Sequence, residues 1–219
     1  MFSLWRSRVL MAWLFCFFLV VSAWADEWRI GVKTVFDGDT VLLTNEDRLR
    51  LRGIDAPEVR HGKKRGQYYG QEAKALVQQL VQGQKLVLDS KELSQDRYDR
   101  LIGTPRLENG RNVALVLVQE GAAFVYPHTS DKDMDFAQDL LAAQVTAMNR
   151  GLGFWPKILS LPVAQHTYLG TISSKRFHTT TCASGLKVKK QNQVRFLTLR
   201  EAFAKGYAPA RCCTPWPKD

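Results

Sequence analysis

The chain has 219 residues, 45 % of them apolar, with 31 Lys and Arg against 21 Asp and Glu and a formal net charge of +10. That length holds one sizeable domain, or a domain with a small module, and the apolar share excludes a chain without a packed core. The basic balance suits a polyanionic partner, either nucleic acid or an anionic surface.

Residues 1–25 read as a secretory signal peptide. Arg6 and Arg8 precede residues 9–21, which carry no charge, and Ala23-Trp24-Ala25 forms a small-x-small cleavage pattern. The apolar run is short for a spanning helix, so no stable membrane anchor is expected after cleavage. Cys16 follows Phe15 and not a small residue, which argues against a lipid anchor. The expected mature chain is secreted or periplasmic. It loses two arginines and no acids, so its net charge falls to +8. Its cysteines, Cys182, Cys212 and Cys213, all lie near the C-terminus. The larger part of the chain therefore has no disulfide and relies on its core.

Residues 28–36 alternate loosely and read as a strand. Asp37-Gly38-Asp39-Thr40 is a turn. Residues 41–43 and 49–54 read as strands on either side of a second turn at Asn45-Glu46-Asp47. A hairpin of that length brings Asp39, at the start of one strand, beside Asp55, at the end of the next. Pro57 then forces the chain out of the sheet. Two carboxylates with nearby carbonyls make a hard-oxygen site for Ca²⁺ or Mg²⁺. Glu58 follows directly, where a base could act on metal-held water. On spacing alone the competing reading is a set of turn acids facing solvent.

Residues 60–70 form an exposed basic loop with Lys63, Lys64, Tyr68 and Tyr69. Cations beside rings suit a single strand of nucleic acid, and a plain solvated charge run is the alternative. Ala73, Leu76, Val77 and Leu80 have helical spacing, ending before Gly83. Residues 85–88 read as a strand and 92–99 as a charged connection. Residues 101–107 read as a strand whose Pro105 demands an edge or a bulge. Asn109-Gly110 is the strongest hairpin signal in the chain. Ala114, Leu117 and Val118 predict a helix capped by Gly121, and 122–126 a last strand. A third helix over 133–149 carries Phe136, Leu140, Ala143 and Ala147 on one face and closes at Gly151. Five strands interleaved with helices are compatible with a small barrel capped by helices.

Asp-Gly-Asp-Thr, Arg50, Asp55-Ala56-Pro57-Glu58 and the later Asp96-Arg97-Tyr98-Asp99-Arg100 together resemble the thermonuclease (staphylococcal nuclease) family, over residues 28–155. The resemblance implies an α+β fold, a five-stranded OB-type barrel with three helices, spanning residues 26–157. It implies a Ca²⁺-dependent hydrolase of DNA and RNA phosphodiesters. Asp39, Asp55 and the Ala56 carbonyl would hold the ion, Glu58 would act on the water, and Arg50 and Arg100 would grip phosphate oxygens. Lys63, Lys64, Arg97, Tyr98 and Tyr126 would contact nucleic acid. Two departures stand out: Arg97-Tyr98 replaces the family's lysine-tyrosine pair, and Phe124 stands where a second tyrosine is expected. The alternative is a catalytically silent nucleic-acid-binding protein of the same fold; relatives of that kind lose the acids or arginines that this chain keeps.

Residues 158–167, flanked by Pro156 and containing Pro162, read as a linker. Residues 168–219, with His178, Cys182, Cys212 and Cys213, resemble the small metal-binding module of the Ada DNA-repair protein, with Ala210 replacing one of its cysteines. Zn²⁺ on those four side chains and a disulfide from Cys182 both remain open. The partition predicts a monomer whose module is dispensable, so that a truncation ending near Leu161 keeps its chemistry.

Overall fold

The computed structural model describes residues 27–127 and 133–217. The signal peptide expected over 1–25 lies outside the described residues. Among these, no helix is long and apolar enough to cross a membrane.

Strand β1 (Glu27–Val35) pairs antiparallel with β2 (Thr40–Leu43) on one side and with β5 (Lys85–Asp89) on the other. A register shift between Val32 and Thr34 bends β1 where it changes partner. The β2–β3 hairpin, with β3 at Arg48–Leu51, closes at Asn45-Glu46-Asp47. Glu46 is left-handed there (φ 71°), and Asn45 and Asp47 hydrogen-bond across the turn. β3 then pairs in parallel with β7 (Leu101–Gly103), which pairs with the two-residue β6 (Ser94–Gln95). Past β7, Arg106 bridges back to Val87 of β5, with N–H···O distances of 2.8 and 2.9 Å. The mixed sheet therefore curls towards closure, as an OB-type barrel does. Pro105 has no amide to pair, and the strand expected over 101–107 stops at Gly103.

The one-residue alternation of the sheet sends Val41, Leu43, Leu49, Leu51, Leu86 and Leu88 into a common core. Helix α1 (Gly70–Val81) adds Ala73 and Val77, and α2 (Val113–Gln119), capped by Asn112, adds Leu117 and Val118. Asn109-Gly110 does turn the chain, but it leads from the Arg106–Asn112 bridge into α2 and not into a strand. A separate two-stranded pair, β4 (Ile54–Asp55) with β8 (Phe124–Val125), lies beyond the hairpin. α3 (Met134–Arg150) begins at the Asp133 cap and ends at left-handed Gly151.

The residues expected as a linker are structured. Pro156 sits in the first turn of α4 (Trp155–Ser160), where proline's missing amide costs nothing, and Pro162 opens a 3₁₀ turn. The C-terminal part contains β9 (Tyr168–Thr171), β10 (Arg176–Thr179), β11 (Gln193–Phe196) and β12 (Ala208–Pro209) in the order β11-β9-β10-β12, with α5 (Ala183–Leu186) and α6 (Leu199–Ala204). It is no tethered appendage. Phe124, Phe154 and Trp155 from the first part share one buried core with Tyr168, Phe177, Phe203 and Trp216. Gln144 of α3, fully buried, accepts from the Val125 amide at 2.7 Å and donates to the Phe203 carbonyl at 2.8 Å. The buried face of α3 therefore serves both parts of the chain. A truncation at Leu161 would strip this core, so the expectation of a dispensable module does not follow from the structure.

Candidate active site and metal centre

The first turn of the chain is pressed against two other elements. A Cβ on Gly38 would lie 2.6 Å from Ala56 Cβ and 2.8 Å from Ala73 Cβ, so only glycine lets the turn reach both. This contact brings Asp39 onto the segment after β4. Ala56 donates its amide to Asp39 Oδ2 at 3.0 Å, and Thr40 donates its hydroxyl to Oδ1 at 2.8 Å. Arg50 lies opposite Thr40 in the hairpin register. Its fork spans two carboxylates: Nη1 donates to Asp39 Oδ1, and Nη2 donates to Asp55 Oδ1 at 2.6 Å. The expected Asp39–Asp55 convergence is thus found, with Arg50 between the pair.

Asp37 joins them, and no role was expected for it. It accepts the Asp39 amide at 3.0 Å. The signal was present in Asp-Gly-Asp itself: in a tight turn the first acid caps the second residue on. The three acids do not share their charge equally. Burial works against ionised Asp39, but Arg50, Thr40 and the Ala56 amide outweigh it and hold Asp39 below the usual carboxylate range. Burial and the neighbouring Asp39 push Asp55 up to about 7. Burial, Asp39 and the nearby Glu58 push Asp37 up to about 7. Asp39 raises the pKa of both Asp37 and Asp55, and crowded carboxylates of this kind could hold a hard divalent cation.

Glu58 is exposed at the edge of this cluster. Its backbone is fixed on both sides by Gln67: the Gln67 Oε1 accepts the Glu58 amide at 2.9 Å, and the Gln67 amide donates to the Glu58 carbonyl at 2.8 Å. Sequence reasoning missed Gln67, because nothing in the spacing of a loop glutamine marks it. Its Nε2 reaches Thr214 Oγ1 at 3.4 Å, and the next residue, Tyr68, donates its amide to the Pro217 carbonyl at 3.0 Å. The C-terminal segment thus braces the loop that carries Glu58.

Arg100 stands apart from the acids. Its Nε and Nη2 bind Asp96 Oδ2 at 2.8 and 2.7 Å, and its guanidinium lies 5.6 Å from the Tyr98 ring centre. Arg97 donates to the Tyr98 hydroxyl at 2.8 Å. Lys63 and Lys64 are exposed in a tight turn closed by the His61–Lys64 bridge. Tyr68 and Tyr69 are not the exposed stacking platform that the loop reading allowed. They are half-buried, ring against ring at 5.9 Å, with Tyr69 edge-on to Phe154. Tyr126 is half-buried at the end of β8 and carries the Arg176 guanidinium 3.5 Å from its ring centre. Phe124, which departs from the expected tyrosine, is buried and stacked on Trp216 at 4.9 Å.

The second cluster lies in the C-terminal part. His178 is on β10, Cys182 caps α5, and Cys212 and Cys213 occupy a 3₁₀ turn, Arg211–Cys213. The parallel β10–β12 pair brings that turn back beside His178. Gly185 makes room for α5, because a Cβ there would meet His178 Cβ at 2.6 Å. The four donor atoms lie within 4.8 Å of one another. Cys182 Sγ is 3.1 Å from Cys212 Sγ and 3.6 Å from His178 Nδ1, and Cys212 Sγ is 3.5 Å from Cys213 Sγ. Donors tetrahedrally placed around zinc stand roughly 3.5–3.8 Å apart, and the separations here, 3.1 Å for Cys182–Cys212 and 4.0 Å for Cys212–His178 among them, lie on both sides of that range, so the Cys₃His set could close on an ion with small shifts. Among the described residues, Cys182, Cys212 and Cys213 are free thiols. Hydrogen bonds from Cys212, the Gly185 amide and His178 bring Cys182 down to about 6, and its bonds to Cys182 and Cys213 push Cys212 up to about 12.

The chain matches the family described as staphylococcal nuclease homologue over residues 48–157. It is similar to the endonuclease YhcR of Bacillus subtilis, 27 % identical over 80 % of this chain and 16 % of the relative. It is similar to the succinoglycan biosynthesis protein ExoI of Rhizobium meliloti, 30 % identical over 68 % of this chain and 76 % of the relative. It is also similar to the probable endonuclease LCL3 of Komagataella phaffii, 32 % identical over 49 % of this chain and 48 % of the relative. The chain thus spans less than half the length of YhcR and of LCL3, and about three quarters of ExoI.

Proposed function

The chain belongs to the staphylococcal nuclease family, and from that premise we propose that it is an exported Ca²⁺-dependent endonuclease cutting DNA and RNA with little sequence preference. One observation carries the reading: Arg50 is held between Asp39 and Asp55, with Asp37 beside them and Glu58 within electrostatic reach. Asp39 and Asp55 would hold the ion, with the Ala56 carbonyl and Asp37 completing an oxygen shell. Bound there, Ca²⁺ would supply charge neutralisation for a phosphate and a site for water.

The chain's own groups do the rest. Glu58, exposed and fixed through its backbone, takes the proton of the attacking water. Arg50, whose fork is held by Asp39 and Asp55 in the structure, would turn it to a phosphate whose charge rises in the transition state once those carboxylates take the ion. Arg100, aimed by Asp96, supplies a second fork. A lysine in either place would lose the paired geometry. The charged-then-apolar pattern of residues 1–25 supports export.

In the C-terminal part, Cys182, Cys212, Cys213 and His178 would hold zinc as a closed, structural site. Metal analysis of the purified chain tests this, a stoichiometry of zero overturning it. The activity is tested by incubating the protein with plasmid, single-stranded DNA and RNA, each with Ca²⁺, Mg²⁺ or chelator. Cleavage of all three with Ca²⁺ alone is expected. Undiminished cleavage in excess chelator overturns the metal role. Binding without cleavage under any divalent ion would leave a silent binding protein.

A further inference from the structure

The net charge of the chain is unevenly placed. Over residues 26–167 there are 19 Lys and Arg and 19 Asp and Glu, so the catalytic part is neutral. Over residues 168–219 there are ten Lys and Arg against two acids, a net charge of +8. The whole basic excess of the mature chain therefore lies in its C-terminal module. Among the described residues, no ion pair engages a lysine or arginine of that module. Surface charge of this kind, concentrated and uncompensated, is the electrostatic footprint of a nucleic-acid face.

Two of these cations are not merely on the module but against the site. Arg211, exposed beside the Cys cluster, lies close enough to Tyr98 to lower the pKa of its hydroxyl. Arg97 binds the same hydroxyl, and Arg100 lies against the same ring, so three guanidiniums from both parts of the chain gather on Tyr98. Arg176 takes the other flank. Its guanidinium stacks on Tyr126 and donates to the Pro127 carbonyl at 2.9 Å. Tyr126 in turn donates its amide to the Gly53 carbonyl at 2.8 Å, two residues before Asp55. Arg211 thus shares Tyr98 with Arg100, and Arg176 stands beside the segment that pairs with Gly53, two residues before Asp55.

We propose that the C-terminal module is the polyanion grip of this protein, with Arg211 and Arg176 carrying a nucleic-acid strand from the nuclease site onto the module. The proposal rests on the nuclease reading of the site. It adds that long substrates are held chiefly by a part of the chain that contributes no reacting group.

The test uses the full chain with Ca²⁺. Binding of a single strand of about 16 nucleotides is followed between roughly 50 and 200 mM salt, with Glu58→Gln present to suppress cleavage. Each phosphate left without its arginine should lower the slope of log affinity against log salt by about 0.7. Arg211→Gln should lower it by that amount, and Arg176→Gln with Arg211→Gln by about 1.4. With Glu58 restored, the double variant should raise KM for the long strand by about tenfold with kcat kept, and leave cleavage of a dinucleotide unchanged. Arg111→Gln, an exposed cation of the neutral part, is the control for charge alone. An unchanged slope in Arg211→Gln overturns the proposal, as does an equal fall in the control. Arg211 is exposed, so its variant carries the test even if Arg176→Gln fails to fold. If the unmodified chain cuts but the slope does not move, the grip fails and the nuclease reading stands. If the slope falls but no variant or parent cuts, the nuclease reading fails and the grip stands. A parent chain that neither binds nor cuts nucleic acid refutes both.

Discussion

Asp55 stands opposite Phe124 in the β4–β8 pair. One partner is a carboxylate of the site, and the other is a ring stacked on Trp216. The strand pairing that fixes an acid of the candidate site is therefore anchored in a core that the C-terminal part completes.

Trp216→Ala should accordingly destabilise the whole chain. Removing a buried tryptophan from a packed aromatic cluster costs about 3–5 kcal/mol. Urea unfolding should show one transition, shifted for both parts together. An unchanged midpoint, or a loss confined to the module, would mean that the two parts do not share their stability.

Glu58→Gln should lower kcat by roughly a hundredfold or more with the fold intact. Gln67→Ala leaves the carboxylate in place but frees its backbone from the side-chain hydrogen bond that holds the Glu58 amide. It should lower kcat by about tenfold with KM little changed, because a misplaced group costs rate and not substrate affinity. Equal losses in kcat and in folding stability would make Gln67 structural only.

Asp96 carries a pH dependence. Burial opposes its charge, but hydrogen bonds from the Arg100 side chain and from the Tyr98 and Arg100 amides outweigh this and lower its pKa below 3.8. The stability it contributes is present above its ordinary value and is lost as pH falls through the lowered folded value. Asp96→Asn should flatten that acid limb of the stability curve. At neutral pH it should also cost about tenfold in kcat/KM, by releasing Arg100. Matching acid limbs for the parent and the variant would remove Asp96 from this role.

Asp99 adopts a left-handed backbone (φ 58°) in the turn between Asp96 and Arg100. A non-glycine residue there costs on the order of 1 kcal/mol, somewhat less for Asp. Asp99→Gly should therefore leave stability equal or slightly higher, and Asp99→Val should lower it by more than about 1 kcal/mol. Thermal melting of the two variants decides this. A destabilised Asp99→Gly would show that the aspartate side chain itself holds the turn.

The hairpin that joins Asp39 to Asp55 was legible, because turn residues and strand alternation are local signals and the strand length sets the register. Helices α1, α2 and α3 were legible through spacing and through Gly83, Gly121 and Gly151 at or just beyond their ends. The OB-type closure came from family resemblance, since the Val87–Arg106 bridge joins residues whose local patterns do not refer to each other. Proline misled twice in opposite ways. Pro105 ended a strand earlier than the pattern implied, whereas Pro156 began a helix in a stretch read as bordering a linker. The docking of the module was invisible because Phe124, Gln144 and Trp216 each fit an ordinary local role. Only the folded chain shows that they meet.

The shared core also sets an order of events during synthesis. Domains generally close as units while the chain emerges from its N-terminus. Here Phe124 and Phe154 await Trp216, so the nuclease part cannot finish packing when its own last helix appears. About ninety further residues must follow Phe124 before the strand bearing Asp55 has its permanent support. A nascent chain stalled before residue 216 would carry every catalytic group and lack the platform that aligns one of them. The shared core thereby ties the placement of Asp55 to a residue almost at the far end of this sequence.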